Sequence, residues 1–98
     1  MIAAVRNYLG LARRAGKVVS GDAQVEGNLK RGKGNLLIIA ADSAGAQKKY
    51  IQWAGGQNVP VIIDGTKQEL GLMLGTSPRA AVLVTDEGFS KAILKARG

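Results

Sequence analysis

Ile2, Val5, Leu9 and Ala12 recur close to a 3.6-residue period, while Arg6, Arg13 and Arg14 fall off that stripe. The spacing predicts an amphipathic helix over 2–15, with Gly16 standing where a C-cap glycine would. Val18–Ser20 reads as a short strand or an extended lead-in. Val25 and Leu29, four apart, predict a short helix over 22–31 that closes at Gly32. The pattern then becomes continuous: NLLIIAA, Asn35–Ala41, suits a strand buried on both faces. Asp42 and Ser43 are placed to cap a following helix over 44–55. Val59–Ile63 reads as a second buried strand, with Pro60 tolerable near its start. A helix over 67–74 ends at Gly75, and residues 80–85 form another apolar strand. Thr85 or Asp86 caps a last helix whose inward face holds Phe89, Ile93 and Ala96.

Helices and strands therefore alternate through the whole chain. That order predicts an α/β fold, a three-layer α/β/α sandwich around a four-stranded mixed sheet. A length of 98 residues argues for a single domain over 1–98. The absence of cysteine removes any case for a disulfide scaffold. No apolar run approaches the ~20 residues of a membrane span. Charges scattered through the first residues are unlike a signal peptide. The expectation is a cytoplasmic monomer with no membrane partner.

Charge changes the picture. Lys and Arg number 14 against 7 Asp and Glu, a net charge of +7, and the excess is uneven. Residues 1–34 carry Arg6, Arg13, Arg14, Lys17, Lys30, Arg31 and Lys33 against only Asp22 and Glu26. Such a local excess favours a polyanion, because each neutralised phosphate releases counterions. The alternative is a solvated basic surface without a partner.

Catalytic chemistry is poorly supplied. Without His or Cys the commonest general base and the thiol nucleophile are missing, and the usual zinc ligands are too. Asp86 and Glu87 are adjacent, but acids at a helix start usually complement the helix dipole. No enzyme activity, cofactor or metal is expected. Gly27–Lys33 reads G-x-x-x-x-G-K, one residue short of a phosphate-binding loop. That motif needs the order strand, turn, helix, whereas here a helix leads into a strand, and Gly34 stands where Ser or Thr should be. The match is accidental.

VVSGDAQ, Val18–Gln24, does run strand, glycine, helix. A free helix start offers unpaired N–H groups and a positive dipole end. Gln24 both donates and accepts, which suits a base edge. Lys17, Lys30 and Arg31 flank the segment. A plain capped helix with solvated polar residues explains the same residues, and Asp22 fits that role at least as well.

Four stretches then carry a resemblance that runs end to end: LGLARRAGKVVSG (Leu9–Gly21), LLIIAADSA ending at Ala44, NVPVI followed by ELG, and VLVTDEGFSKAI (Val82–Ile93). In this order and spacing the chain resembles the kink-turn RNA-binding proteins related to archaeal and eukaryotic large-subunit ribosomal proteins, and within them the small bacterial YlxQ-type branch. The resemblance implies a sandwich that binds sharply bent, structured RNA, with ribosomal RNA a candidate. It implies that a G-x-N-E-x-x-K segment meets the tandem sheared G·A pairs of the kink. Here Gly21 and Asp22 match the first two positions, while Ala23, Gln24 and Gly27 replace the Asn, Glu and Lys. A second contact, the loop before the last strand, falls on Thr76, Ser77, Pro78 and Arg79. That loop is usually apolar and packs on an extruded base; here Pro78 is the available wedge. The RNA-binding set expected is thus Arg13, Arg14, Lys17, Gly21, Asp22, Ala23, Gln24, Lys30, Arg31 and Thr76 to Arg79, with Gln24 and the backbone at Gly21 and Asp22 at its centre. The competing reading is a protein-interaction or scaffold domain on the same fold with a decayed RNA site.

Overall fold

The two most apolar runs form the two central strands of a four-stranded sheet. In a computed structural model that describes residues 1–98, these are β2 (Leu36–Ile39) and β4 (Ala81–Val84), every residue of which is buried. The edge strands β1 (Val18–Ser20) and β3 (Val61–Ile63) are shorter and partly exposed. The order is β1-β4-β2-β3, with β4 antiparallel to both neighbours and β2 parallel to β3. The sheet is mixed, as expected.

Side chains alternate across the pleat. Leu36, Ile38, Val82 and Val84 point to one face and pack with Val5, Leu9, Leu70 and Ile93 from helices α1 (Ala3–Arg14), α4 (Lys67–Leu74) and α5 (Glu87–Arg97). Leu37, Ile39, Ala81 and Leu83 point to the other and meet Val25, Leu29, Tyr50 and Ala54 from α2 (Asp22–Lys30) and α3 (Ala44–Gly55). Two apolar cores thus sandwich the sheet between helix layers.

Register decides which loops meet. Ser20 lies opposite Val82, Ile39 opposite Ala81, and Ile39 beside Ile63. The carboxyl ends of β1, β2 and β3 and the amino end of β4 therefore share one edge. Helices α2, α3 and α4 all start from it, and the α4–β4 loop returns to it. In open α/β sheets this is the end where ligands bind.

One cap differs from the sequence expectation. Neither Asp42 nor Ser43 caps α3 through its side chain. Asp42 Oδ1 instead accepts from Lys67 N at 2.9 Å, at the start of α4. Because β2 and β3 are parallel neighbours, the turns that follow them lie side by side, so the nearest open helix start to Asp42 belongs to α4. At the last helix Asp86, not Thr85, is the cap, accepting from Phe89 N at 2.9 Å. The near-match to a phosphate loop falls mostly inside α2, and Gly32 turns the chain out of it with φ 69°.

Candidate nucleic-acid interface

The β1–α2 turn hinges on Gly21, at φ 87° and ψ 143°, a conformation open essentially only to glycine. A Cβ there would meet nothing within 4 Å. Backbone geometry therefore suffices to explain the glycine, without a close approach. No side chain caps α2; its first turn closes by Val25 N donating to Gly21 O at 2.9 Å. The N–H groups ahead of that bond face outward at the positive end of the helix dipole. Ala23 and Gln24 are exposed, and the Gln24 side chain makes no hydrogen bond within the chain.

Asp22 is engaged by the neighbouring helix. Lys49 Nζ donates to its Oδ2 at 2.6 Å, and the Tyr50 hydroxyl donates to Oδ1. The Lys49 hydrogen bond, with that from Tyr50 behind it, holds the Asp22 carboxyl below the usual carboxylate range. Burial, followed by the facing carboxylate, pushes the Tyr50 hydroxyl well above the ordinary phenol range. Lys49 also lies 4.9 Å from the Tyr50 ring centre and 5.5 Å from that of Trp53, and the two rings meet edge to face at 5.2 Å. This clasp ties the start of α2 to α3 and neutralises the one acid at the helix start. Lys49 and Tyr50 escaped the sequence reading. Lys48-Lys49-Tyr50 within α3 was the only signal, and the Asp22 partner lies 27 and 28 residues away.

The α4–β4 loop folds back along α4. Thr76 N donates to Gly71 O at 2.8 Å and Arg79 N to Lys67 O at 3.1 Å. A Cβ at Gly71 would lie 2.8 Å from Pro78 Cα, so only glycine admits this path. Thr76, Ser77 and Pro78 are exposed. Arg79 Nη1 reaches Ser77 Oγ at 3.3 Å, while its buried Nε has no partner.

The Ser20–Val82 register thus places two of the expected segments, Gly21–Gln24 and Thr76–Arg79, on one edge. Other expected residues lie elsewhere. Lys17 precedes β1, where its carbonyl accepts from Thr85 N, at the far edge of the sheet. Lys30 and Arg31 sit at the other end of α2, whose nine residues span about 13 Å. Lys30 lies 3.9 Å from Glu26 in an exposed pair that adds little. The Arg31 guanidinium covers Gly27: a Cβ built there would be 3.4 Å from Nη1. Arg13 and Arg14 belong to α1, in the opposite helix layer. Arg13 nonetheless folds over Gly75, its Cζ 2.9 Å from where a Cβ would be, next to Thr76.

Asp86 is committed to its cap and Glu87 to Lys91 at 2.7 Å. No three His, Cys, Asp or Glu side chains come together as metal ligands. No helix is long and apolar enough to cross a membrane.

The family model for the ribosomal protein L7Ae/L30e/S12e/Gadd45 family matches residues 3–94. RNA-binding protein YlxQ of Bacillus subtilis (strain 168) is 33% identical over 87 residues, covering 88% of this chain and 87% of that protein. Large ribosomal subunit protein eL8 of Picrophilus torridus is 30% identical over 87 residues, covering 87% of this chain and 68% of that one. A solved structure of a Bacillus halodurans C protein of unknown function superposes with a TM-score of 0.87 at 33% identity, covering 96% of both chains.

Proposed function

The chain belongs to the ribosomal protein L7Ae/L30e/S12e/Gadd45 family, and from that membership we propose that it is a non-catalytic module binding structured RNA through the edge where α2 begins. The observation that carries the reading is the uncapped α2 start at Gly21–Gln24, on the same edge as the exposed Thr76–Arg79 loop. The two segments can flank one bent strand. Outward N–H groups meet phosphates, and Gln24 meets a base edge. The clasp on Asp22 supports the reading, because it removes a negative charge that phosphates would oppose.

The favoured target is a kink-turn. Ala23 and Gly27 lack the polar side chains the motif usually presents, so one base contact and one phosphate contact are lost. Arg31, lying over Gly27, supplies a cation near the vacated lysine position. Affinity for a kink-turn is accordingly lower than in members with the full motif. Action beside the ribosome, as a cytoplasmic monomer, is part of this reading, and the ribosomal name of the eL8 relative supports its ribosomal part.

Fluorescence anisotropy with a kink-turn RNA, and with the same RNA carrying Watson–Crick pairs in place of the tandem G·A pairs, tests this across a salt series. Tighter binding to the kinked RNA, with affinity falling steeply with salt, is the expected result. Equal affinity for both RNAs refutes kink recognition, and absence of binding at low salt refutes the RNA function.

A further inference from the structure

The helix layer away from α2 carries a surface the RNA reading leaves unused. Between α1 and α4 runs a hollow of about 320 Å³, lined by Arg6, Leu11, Arg14 and Met73 among others. It continues past Arg6 to Leu72, and past Leu11 to a second hollow of about 260 Å³ beside Tyr8. Leu72 is 71% exposed and Leu11 46%, high values for aliphatic side chains, and each lines a hollow that also holds Arg6 and Met73. Neither Arg6 nor Arg14 forms an ion pair within the chain. The acids at the rim are already occupied: Asp86 caps α5, and Glu69 caps α4 and faces the Met1 ammonium.

We propose that this α1–α4 face docks an acidic amphipathic helix of another protein. From Arg6 to Arg14 the hollow follows α1 for about 12 Å, a little over two helical turns. A partner helix with leucine-type residues at i, i+3/i+4 fills it and places Asp or Glu against Arg6 and Arg14. Charge and apolar surface together select this occupant. A phosphate backbone would satisfy the arginines but leave Leu11, Leu72 and Met73 against water or charge. A second copy docked face to face would set arginine against arginine, which opposes a symmetric dimer. The groove lies in the layer opposite α2, so RNA and protein can be held together.

The test uses the full chain and three labelled peptides: a helical Leu/Glu amphipathic sequence, its composition-matched scramble, and the same helix with Lys for Glu. The acidic amphipathic peptide is expected to bind at least about tenfold more tightly than either control. Leu72→Ala and Arg6→Ala each weaken it about five- to tenfold, the scale of a good interface contact. Both side chains are exposed, so the variants keep the wild-type circular dichroism, and kink-turn RNA affinity stays within about twofold. Gly10→Leu is a second variant that fills the groove without altering charge; at Gly10 a Cβ meets only Met73 Cε, at an ordinary 3.5 Å. The proposal is overturned by equal binding of peptide and scramble, or by insensitivity to all three variants. It is equally overturned if RNA displaces the peptide and its own affinity falls with Leu72→Ala, or if sedimentation finds a dimer that Leu72→Ala dissociates.

Discussion

Removing the Asp22 carboxylate should push stability and RNA affinity in opposite directions. The Tyr50 ring is 3% exposed, and its hydroxyl donates to Asp22 Oδ1. In Asp22→Ala that hydroxyl loses its acceptor, which costs about 1–3 kcal/mol for a buried donor left unpaired. The Lys49 pair adds at most about 1 kcal/mol, because Asp22 is 61% exposed and solvent screens the attraction. Asp22→Asn keeps an acceptor for Tyr50 and should cost less than Asp22→Ala. In a Tyr50→Phe background, the cost of Asp22→Ala should shrink by roughly 0.5–3 kcal/mol, the coupling between contacting groups. Both Asp22 variants remove a negative charge from the helix start and release Lys49 toward solvent. RNA affinity at low salt should then rise, and the salt dependence should steepen by about one phosphate contact. The sign with pH follows from the lowered carboxyl pKa. The charged form is favoured in the folded state, so the contribution is present above the ordinary carboxylate value of 3.8 and fades as pH falls through the lower folded value. Urea unfolding at neutral pH and in acid, paired with anisotropy over a salt series, reads all of this. A large loss of RNA affinity in Asp22→Asn with stability unchanged would refute the clasp and make Asp22 a direct base contact.

Three further outcomes are expected. Against one kink-turn RNA at fixed salt, Gln24→Ala should weaken binding by about 1–3 kcal/mol, Ala23→Asn should strengthen it, and Lys33→Ala should do little; a damaging Lys33→Ala with a silent Gln24→Ala would move the site to the far edge. Asp86→Ala should cost about 1 kcal/mol of stability, the loss of a helix cap, and leave RNA affinity unchanged in the same titration. Gly71→Ala forces a Cβ against the Ser77–Pro78 backbone, so it should cost about 1–3 kcal/mol in urea unfolding and displace the Thr76–Arg79 loop, weakening RNA binding with it.

Local pattern alone determined the elements. A helix or strand is announced by the spacing of its own apolar residues, so α1, α2 and the buried runs at β2 and β4 were legible within a residue or two. The Gly21 turn was legible for a similar reason: strand, glycine and helix follow one another in the chain. The order β1-β4-β2-β3 was not, because pairing depends on which apolar faces can close over one another, and a short strand carries no mark of its neighbour. Only that order brings Thr76–Arg79 to the start of α2. The same holds for the contacts that shape the edge. Asp22 meets Lys49 and Tyr50 because α2 and α3 pack side by side on one face of the sheet. Asp42 leaves its own helix for Lys67 because parallel strands set their exits together. Gly71 is required by a backbone six residues ahead of it. The two Asp contacts join residues 25 to 28 positions apart, and the Gly71 contact depends on how the loop folds back, so none is marked by a local period.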